Sequence, residues 1–315
     1  MSDAPPSAKA PRVADLPSVM RTRGWADYAL LDSGHGRKLE RYGRFTVVRP
    51  EPQCLWAPAL GPQAWDAADA VFDPADEEDA GRWKLKGQAA ALGSGEAWPL
   101  DWGEVAFNGR FTSFRHLAFF PEQAANWEWL DAAVRRAGGQ PRVLNLFGYT
   151  GVASLAMAAA GAAVTHVDAS RRAVAWAREN AALSGLAERP IRWITEDARK
   201  YVQREVRRGS KYEGIILDPP KYGRGPDGEV WRLFENLPEL AGLCAELLSD
   251  TASFLVLNAY AERISGAALS GLLADTLKGR GGTIEWGELA LVQADGAREI
   301  GMSFFARWQS DREPA

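Results

Sequence analysis

From Arg142 onward the chain alternates short apolar runs with longer stretches whose apolar positions recur at helical spacing. The runs Arg142 to Phe147, Ala163 to Asp168, Ile191 to Glu196, Glu213 to Leu217 and Ser253 to Asn258 predict strands that are apolar on both faces, as in a buried parallel sheet. Helices are predicted between them at Val152 to Ala160, Ser170 to Leu183, Ala198 to Arg207, Glu229 to Leu248 and Gly266 to Leu277. This alternation implies an α/β fold with helices on both faces of the sheet. The last two β-prone runs, Ile284 to Val292 and Gly301 to Trp308, are joined only by Gln293 to Gly296. So short a connection makes a hairpin, which requires at least one antiparallel strand.

The first part of the chain has a different texture. Met1 to about Met20 carries Pro5, Pro6, Pro11 and Pro17 among small and polar residues, and is expected to be a flexible tail. Residues 21–118 read as a small β-rich domain, with short strands such as Phe45 to Val48 and Trp102 to Phe107. Its Trp25, Trp56, Trp65, Trp83, Trp98 and Trp102 suit either core packing or stacking on unpaired bases. Arg37, Lys38, Arg41 and Arg44 make a local basic cluster, either a solvated face or a contact for a nucleic-acid backbone. The acidic run Asp73 to Asp79 is expected to be an exposed loop. A second domain, 119–315, opens at Phe119-Phe120-Pro121-Glu122-Gln123 with a helix that ends at Gly138-Gly139.

The stretch Val143 to Val152, VLNLFGYTGV, carries the first chemical signal. A strand enters a turn with Gly148 and Gly151, and a helix follows. That arrangement lets a ligand approach the backbone and points free helix N–H groups at an anionic group. The spacing is G-x-x-G and not the G-x-G-x-x-G of dinucleotide sites, which disfavours a nicotinamide-dependent oxidoreductase. Acidic residues then stand at the ends of three successive strands: Asp168, Asp197 and Asp218. Ligands of open α/β sheets lie outside the carboxyl ends of the strands, so these carboxylates converge on one crevice with the glycine turn. An acid after the second strand is placed to accept ribose hydroxyls, and one after the third to meet an adenine amino group. Asp197 also has the alternative of capping the next helix.

Composition narrows the setting. The chain has 315 residues, is 46% hydrophobic and 25% charged, and has a formal net charge of −4 with a pI near 5.6. No global basic field draws it to nucleic acid. Cys54 and Cys244 are far apart and lack metal-ligand spacing, so neither a disulfide framework nor a metal site is expected. With no apolar leader and no run long enough to span a bilayer, a cytoplasmic protein without membrane contact is expected.

Three segments, VLNLFGYTGVASLAMAAAGAAVTHVDAS, ITEDARKYV and YEGIILDPPKYGRG, resemble the first four motifs of the class I S-adenosylmethionine-dependent methyltransferases. The chain is most similar among these to the bacterial 23S rRNA methyltransferases that modify cytosine C5 or guanine N7. The resemblance runs from Phe119 to the C-terminus and implies a seven-stranded Rossmann-like sheet with a terminal antiparallel hairpin. It implies S-adenosylmethionine as cofactor, its methionine part against Phe147, Gly148 and Gly151, its ribose on Asp168 and its adenine on Asp197. Thr150, Ala169, Ala198 and Asp218 complete that set, and Phe120 and Gln123 close over the cofactor. Asp218, Pro219, Pro220, Lys221 and Tyr222 form the loop that presents the acceptor, with Lys221 either on a phosphate or merely exposed.

Cytosine C5 methylation needs a cysteine nucleophile, and Leu257-Asn258-Ala259-Tyr260 after the fifth strand offers none. The sequence therefore points to methylation of an rRNA nitrogen, such as guanine N7 or an exocyclic amine, with rRNA or a ribosomal subunit as partner. Asn258 and Tyr260 are expected on the acceptor side. The alternatives are a protein or small-molecule acceptor, or a cofactor-binding accessory protein without turnover.

Overall fold

The computed structural model describes residues 10–75, 81–92, 95–260 and 263–311. They form two compact units. One comprises the N-terminal segment up to Met20, Asn126–Leu289 and Ser303 onward; the other comprises Arg21–Ala125 and Ala290–Met302. The expected boundary at residue 118 thus differs from the division seen, in which the tip of the last hairpin belongs with the N-terminal unit.

The larger unit is built on β1 (Arg142–Leu146), α1 (Val152–Ala159), β2 (Ala163–Asp168), α2 (Arg171–Leu183), β3 (Ile191–Thr195), α3 (Ala198–Arg207), β4 (Gly214–Leu217), α4 (Leu233–Leu247), β5 (Phe254–Ala259), α5 (Gly266–Thr276), β6 (Thr283–Val292) and β7 (Glu299–Gln309). The strand order is β3-β2-β1-β4-β5-β7-β6. Strands β1 to β5 run parallel, and β7 is antiparallel to β5. This is the expected seven-stranded α/β sheet with its terminal hairpin. Leu144, Leu146, Ile215, Leu217, Leu255 and Leu257 are fully buried, as strands covered on both faces require. Gly138 and Gly139, both at positive φ, stop the preceding helix Ala124–Ala137.

Two expectations are corrected here. The segment before Met20 is not wholly a tail, since Arg12–Val13 pairs in parallel with β6 and Ser18–Thr22 also pairs with it, giving nine strands. The Arg12 N–H donates to Gly282 O and that of Ala14 to Ile284 O, both at 2.8 Å. Edge pairing satisfies the backbone and asks little of side-chain hydrophobicity, so proline-rich composition does not forbid it. Residues 1–9 of the expected tail lie outside the described residues. The predicted helix Glu229 to Leu248 begins only at Leu233, because Tyr222–Arg224 and Val230–Arg232 first pair as an antiparallel ribbon.

In the N-terminal unit, strands Tyr28–Gly34, Arg37–Tyr42, Phe45–Pro50, Ala70–Pro74 and Gly81–Leu85 form one sheet in that order. The expected single strand Trp102 to Phe107 is instead a hairpin of Ala97–Trp102 and Val105–Arg110, turning at Gly103 with φ +56°. Tryptophans serve packing here: Trp65 and Trp98 are buried, while the indoles of Trp25, Trp56 and Trp83 donate to Asp101 O, Ser33 O and Phe114 O. The basic cluster is also used internally. Lys38 is buried 3.5 Å from Glu51, and Arg41 donates to Ala26 O. Of the acidic run, Asp73 and Pro74 close a strand and residues 76–79 lie outside the described residues.

Arg49 Nε lies 2.7 Å from Glu40 Oε2, and the Tyr28 hydroxyl donates to Glu40 Oε1 at 2.9 Å. Burial opposes ionisation of Glu40, but the Arg49 and Lys38 cations and the Arg49 and Tyr28 hydrogen bonds outweigh it and hold its pKa at about 2. A depressed carboxylate pKa stabilises the fold above the ordinary value of 4.5, and that contribution is lost as pH falls towards 2. Glu40→Gln is expected to destabilise the fold by about 3 kcal/mol at pH 7, with the gap to wild type closing between pH 4.5 and 2. Denaturant melts of both proteins across that range check it.

Candidate active site

At the end of β1 the backbone enters the left-handed region and stays near it. Phe147 has φ +59°, Tyr149 φ +50° and Gly151 φ +84°. A non-glycine residue held there costs on the order of 1 kcal/mol, so the surroundings must enforce the shape. They do so by hydrogen bonds from Gly148 N to Val167 O at 3.0 Å, from Gly151 N to Gly148 O at 3.0 Å, and from Asn180 Nδ2 to Thr150 O at 2.9 Å. The first turn of α1 follows directly.

Under this turn lies a buried polar group that the sequence reading did not single out. Asn145 Nδ2 donates to Ser154 Oγ at 2.8 Å, and that hydroxyl is 3.0 Å from His166 Nδ1. A Cβ on Gly148 would sit 2.5 Å from the His166 ring, so the glycine is required by close packing. Burial pushes the His166 pKa down to about 3, which keeps the imidazole neutral. The available signal was a polar residue inside each of two apolar strands, VLNL and VTHVD.

The three acids stand where the strands end. Leu146 is in register with Val167 and with Leu217, and Asp168 with Thr195, so Asp168, Asp197 and Asp218 occupy the carboxyl edge of adjacent strands. Asp168 Oδ2 accepts from Tyr149 N at 2.9 Å, and Oδ1 from Ser170 N at 2.8 Å. Burial raises its pKa, and these two N–H donors work against the rise. Asp197 is the N-cap of α3, its Oδ1 accepting from Lys200 N at 3.0 Å, so the capping alternative is realised for one oxygen. Ala169 follows Asp168, and Ala198 opens α3.

Asp218 and Pro219 are half-buried and buried respectively, Pro220 and Lys221 are exposed, and Tyr222 begins the ribbon at 51% exposure. Trp231, on the opposite strand of the ribbon, is buried and was not anticipated from sequence. Its indole N–H donates to Pro220 O at 2.7 Å, and its ring lies 5.0 Å from that of Phe147. One side chain thus joins the Asp218-Pro220 loop to the glycine turn. At the end of β5, Asn258 is buried and its Oδ1 accepts from Asn126 Nδ2 at 3.0 Å. Tyr260 follows outside the strand. Phe120 and Gln123 belong to the N-terminal unit, at the start and end of a short turn, with Phe120 5.2 Å from the His116 ring.

The chain has counterparts among known proteins. The crystal structure of an S-adenosylmethionine-dependent methyltransferase from Agrobacterium tumefaciens is 49% identical to this chain, covers 96% of both chains and superposes with a TM-score of 0.90. The chain belongs to the S-adenosylmethionine-dependent methyltransferases. The family described in those words matches residues 105–255 of this methyltransferase. The ribosomal RNA large subunit methyltransferase K/L of Shewanella frigidimarina is 36% identical over 118 residues, 37% of this chain and 16% of that protein. The ribosomal RNA large subunit methyltransferase I of Klebsiella pneumoniae is 34% identical over 113 residues, 36% of this chain and 26% of that protein. The methyltransferase therefore matches only about a quarter or less of the length of these two relatives. No helix among the described residues is long and apolar enough to cross a membrane.

The residues present fit S-adenosylmethionine. The first N–H groups of α1, at the strand-to-helix corner, can meet a carboxylate, and the half-buried Asp168 can accept from hydroxyls. Gly148→Ala is expected to displace the His166 ring, lower the melting temperature by a few degrees and weaken cofactor binding at least about tenfold. Thermal melts and calorimetric titration with S-adenosylmethionine check this. Trp231→Phe keeps the ring on Phe147 and removes the bond to Pro220 O. Methyl transfer should slow about tenfold, the size of one lost hydrogen bond, with cofactor Kd within about twofold of wild type.

Proposed function

We propose that this methyltransferase methylates a nitrogen of a nucleotide in large-subunit rRNA. The observation that carries this reading is the Asp218-Pro219-Pro220 loop at the carboxyl edge of the sheet, in a protein whose two thiols are both buried away from chemistry. Cys244 lies in the core within α4 and Cys54 is fully buried, and burial raises the pKa of both, Cys54 to about 11. Neither supplies a thiolate to activate cytosine C5. A nitrogen lone pair attacks without a covalent intermediate, which matches a site built of carboxylate, carbonyl and ring.

In this reading the turn Phe147–Gly151 holds the methionine end of the cofactor, Asp168 the ribose and Asp197 the adenine. Thr150, Ala169 and Ala198 line the same edge. When bound, S-adenosylmethionine supplies an electrophilic methyl group. The protein's work is then alignment and exclusion of water. Where the acceptor is an exocyclic amine, Asp218 and the adjoining Pro219 carbonyl accept its N–H and aim its lone pair. Proline at 219 and 220 fixes φ and restricts Asp218 to extended backbone, so the acceptors are held before substrate arrives. Tyr222 packs on the base and Lys221 meets a phosphate. Support for RNA as the acceptor comes from the two ribosomal RNA methyltransferase relatives.

The test is transfer of labelled methyl from S-adenosylmethionine to naked rRNA, ribosomal subunits and a protein extract, with nucleosides identified by mass. Label is expected in one nitrogen-methylated nucleoside, falling about 100-fold or more in Asp218→Ala. Label in protein or small molecules alone, or in 5-methylcytosine, overturns the proposal.

A further inference from the structure

The ribbon that follows the acceptor loop has two unlike faces, set by its register. Tyr222 lies opposite Arg232, Gly223 opposite Trp231, and Arg224 opposite Val230. Directly opposed residues of an antiparallel pair share a face, and successive residues alternate. Gly223 and Trp231 therefore form the inner face, where Trp231 is 3% exposed. Tyr222, Arg224, Val230 and Arg232 form the outer face and all are exposed, Tyr222 at 51% and Val230 at 43%.

Charge on the two sides is sorted as well. The acids of the connecting turn are drawn away: Asp227 lies 3.4 Å from Lys200 on α3, and Glu229 is ion-paired with the same lysine. Glu229 also accepts from Asp227 N at 3.0 Å. What the outer face presents is a tyrosine ring, a valine and two guanidinium groups. Arg232 reaches Glu235 at 3.4 Å, an exposed pair with little holding power.

We propose that the outer face of residues 222–232 is the docking surface for an unpaired RNA segment, which it holds as the target base enters beside Asp218. This rests on the rRNA reading above and names the surface that reading requires. A ring that accepts any base face, flanked by two forked cations suited to phosphate, matches a single strand with little sequence preference. The inner face does a different task, since Trp231 holds Pro220. Strand binding and loop alignment are thus separable by substitution.

The experiment is binding of a fluorescein-labelled, unstructured oligoribonucleotide to the full chain over a range of salt, with Arg224→Ala/Arg232→Ala and Tyr222→Ala beside wild type. Each protein is also titrated calorimetrically with S-adenosylmethionine. Loss of two phosphate contacts should lower the slope of log K against log salt by about 1.4, at about 0.7 per contact for a single strand. Affinity should fall about tenfold or more, with cofactor Kd within about twofold of wild type. Tyr222→Ala should weaken binding about tenfold and leave the slope unchanged. Wild-type slope and affinity in the arginine variant overturn the proposal. A parallel fall in cofactor affinity also overturns it, because the loss then originates beneath the ribbon. Failure of wild type to bind RNA, or preference for an acidic peptide, overturns the rRNA reading itself.

Discussion

The Asp168 carboxylate, with one oxygen on Tyr149 N and the other on Ser170 N, is the constraint from which the rest of the site follows. It ties the end of β2 to the turn after β1 and to the start of α2. Together with the bonds made by Gly148 N, Gly151 N and Asn180 Nδ2, it keeps Phe147 and Tyr149 in a left-handed backbone that each residue would relax given freedom. The neutral His166 below, packed against Gly148, fills the space that relaxation would need. Anchoring from above and close packing from below give a rigid corner. A rigid corner matters because in-line transfer loses rate steeply with small misplacements of the reacting atoms.

The second half of the reaction geometry is fastened to the first through Trp231. Asp218 and Pro219 lie at the end of β4, next to β1 in the sheet, so their approximate position follows from strand order. Sheet register does not fix the peptide after Pro220. The indole bond to Pro220 O does, and the contact of the same ring with Phe147 refers this loop to the glycine turn. The Lys200 pairs with Asp227 and Glu229 tether the far end of the ribbon to α3, which begins at the Asp197 cap. The loops after β1, β3 and β4 thus form one connected body.

Periodicity exposed the parts of this arrangement that depend on one strand or one helix at a time. The five parallel strands and most of their helices fall within about a residue of their predicted limits because apolar runs and glycine stops are local signals. Asp168, Asp197 and Asp218 were visible for the same reason, each at a strand end. What stayed hidden depends on pairing between distant segments. The edge strands Arg12–Val13 and Ser18–Thr22 take their order from the backbone of β6, not from their own side chains. Trp231 reads as one more apolar residue in a helix until Tyr222–Arg224 pairs across from it. Within the Arg37 to Arg44 cluster local charge density says nothing of partners: Arg37 and Arg44 are exposed, while Lys38 meets Glu40 and Glu51 in the interior.

That internal use of charge bears on the proposal that an acidic chain takes RNA as its acceptor. A net charge of −4 is a sum over the whole sequence, yet exposed charges are largely screened beyond about 8 to 10 Å at physiological salt. A docking strand senses the few groups within that distance, not the total. On the ribbon Asp227 and Glu229 pair with Lys200, while Arg224 and Arg232 are exposed on the outer face. An acidic remainder even has a use, since it limits indiscriminate binding to nucleic acid elsewhere on the surface. Specificity would then come from a small cationic and aromatic face beside a rigid acceptor loop.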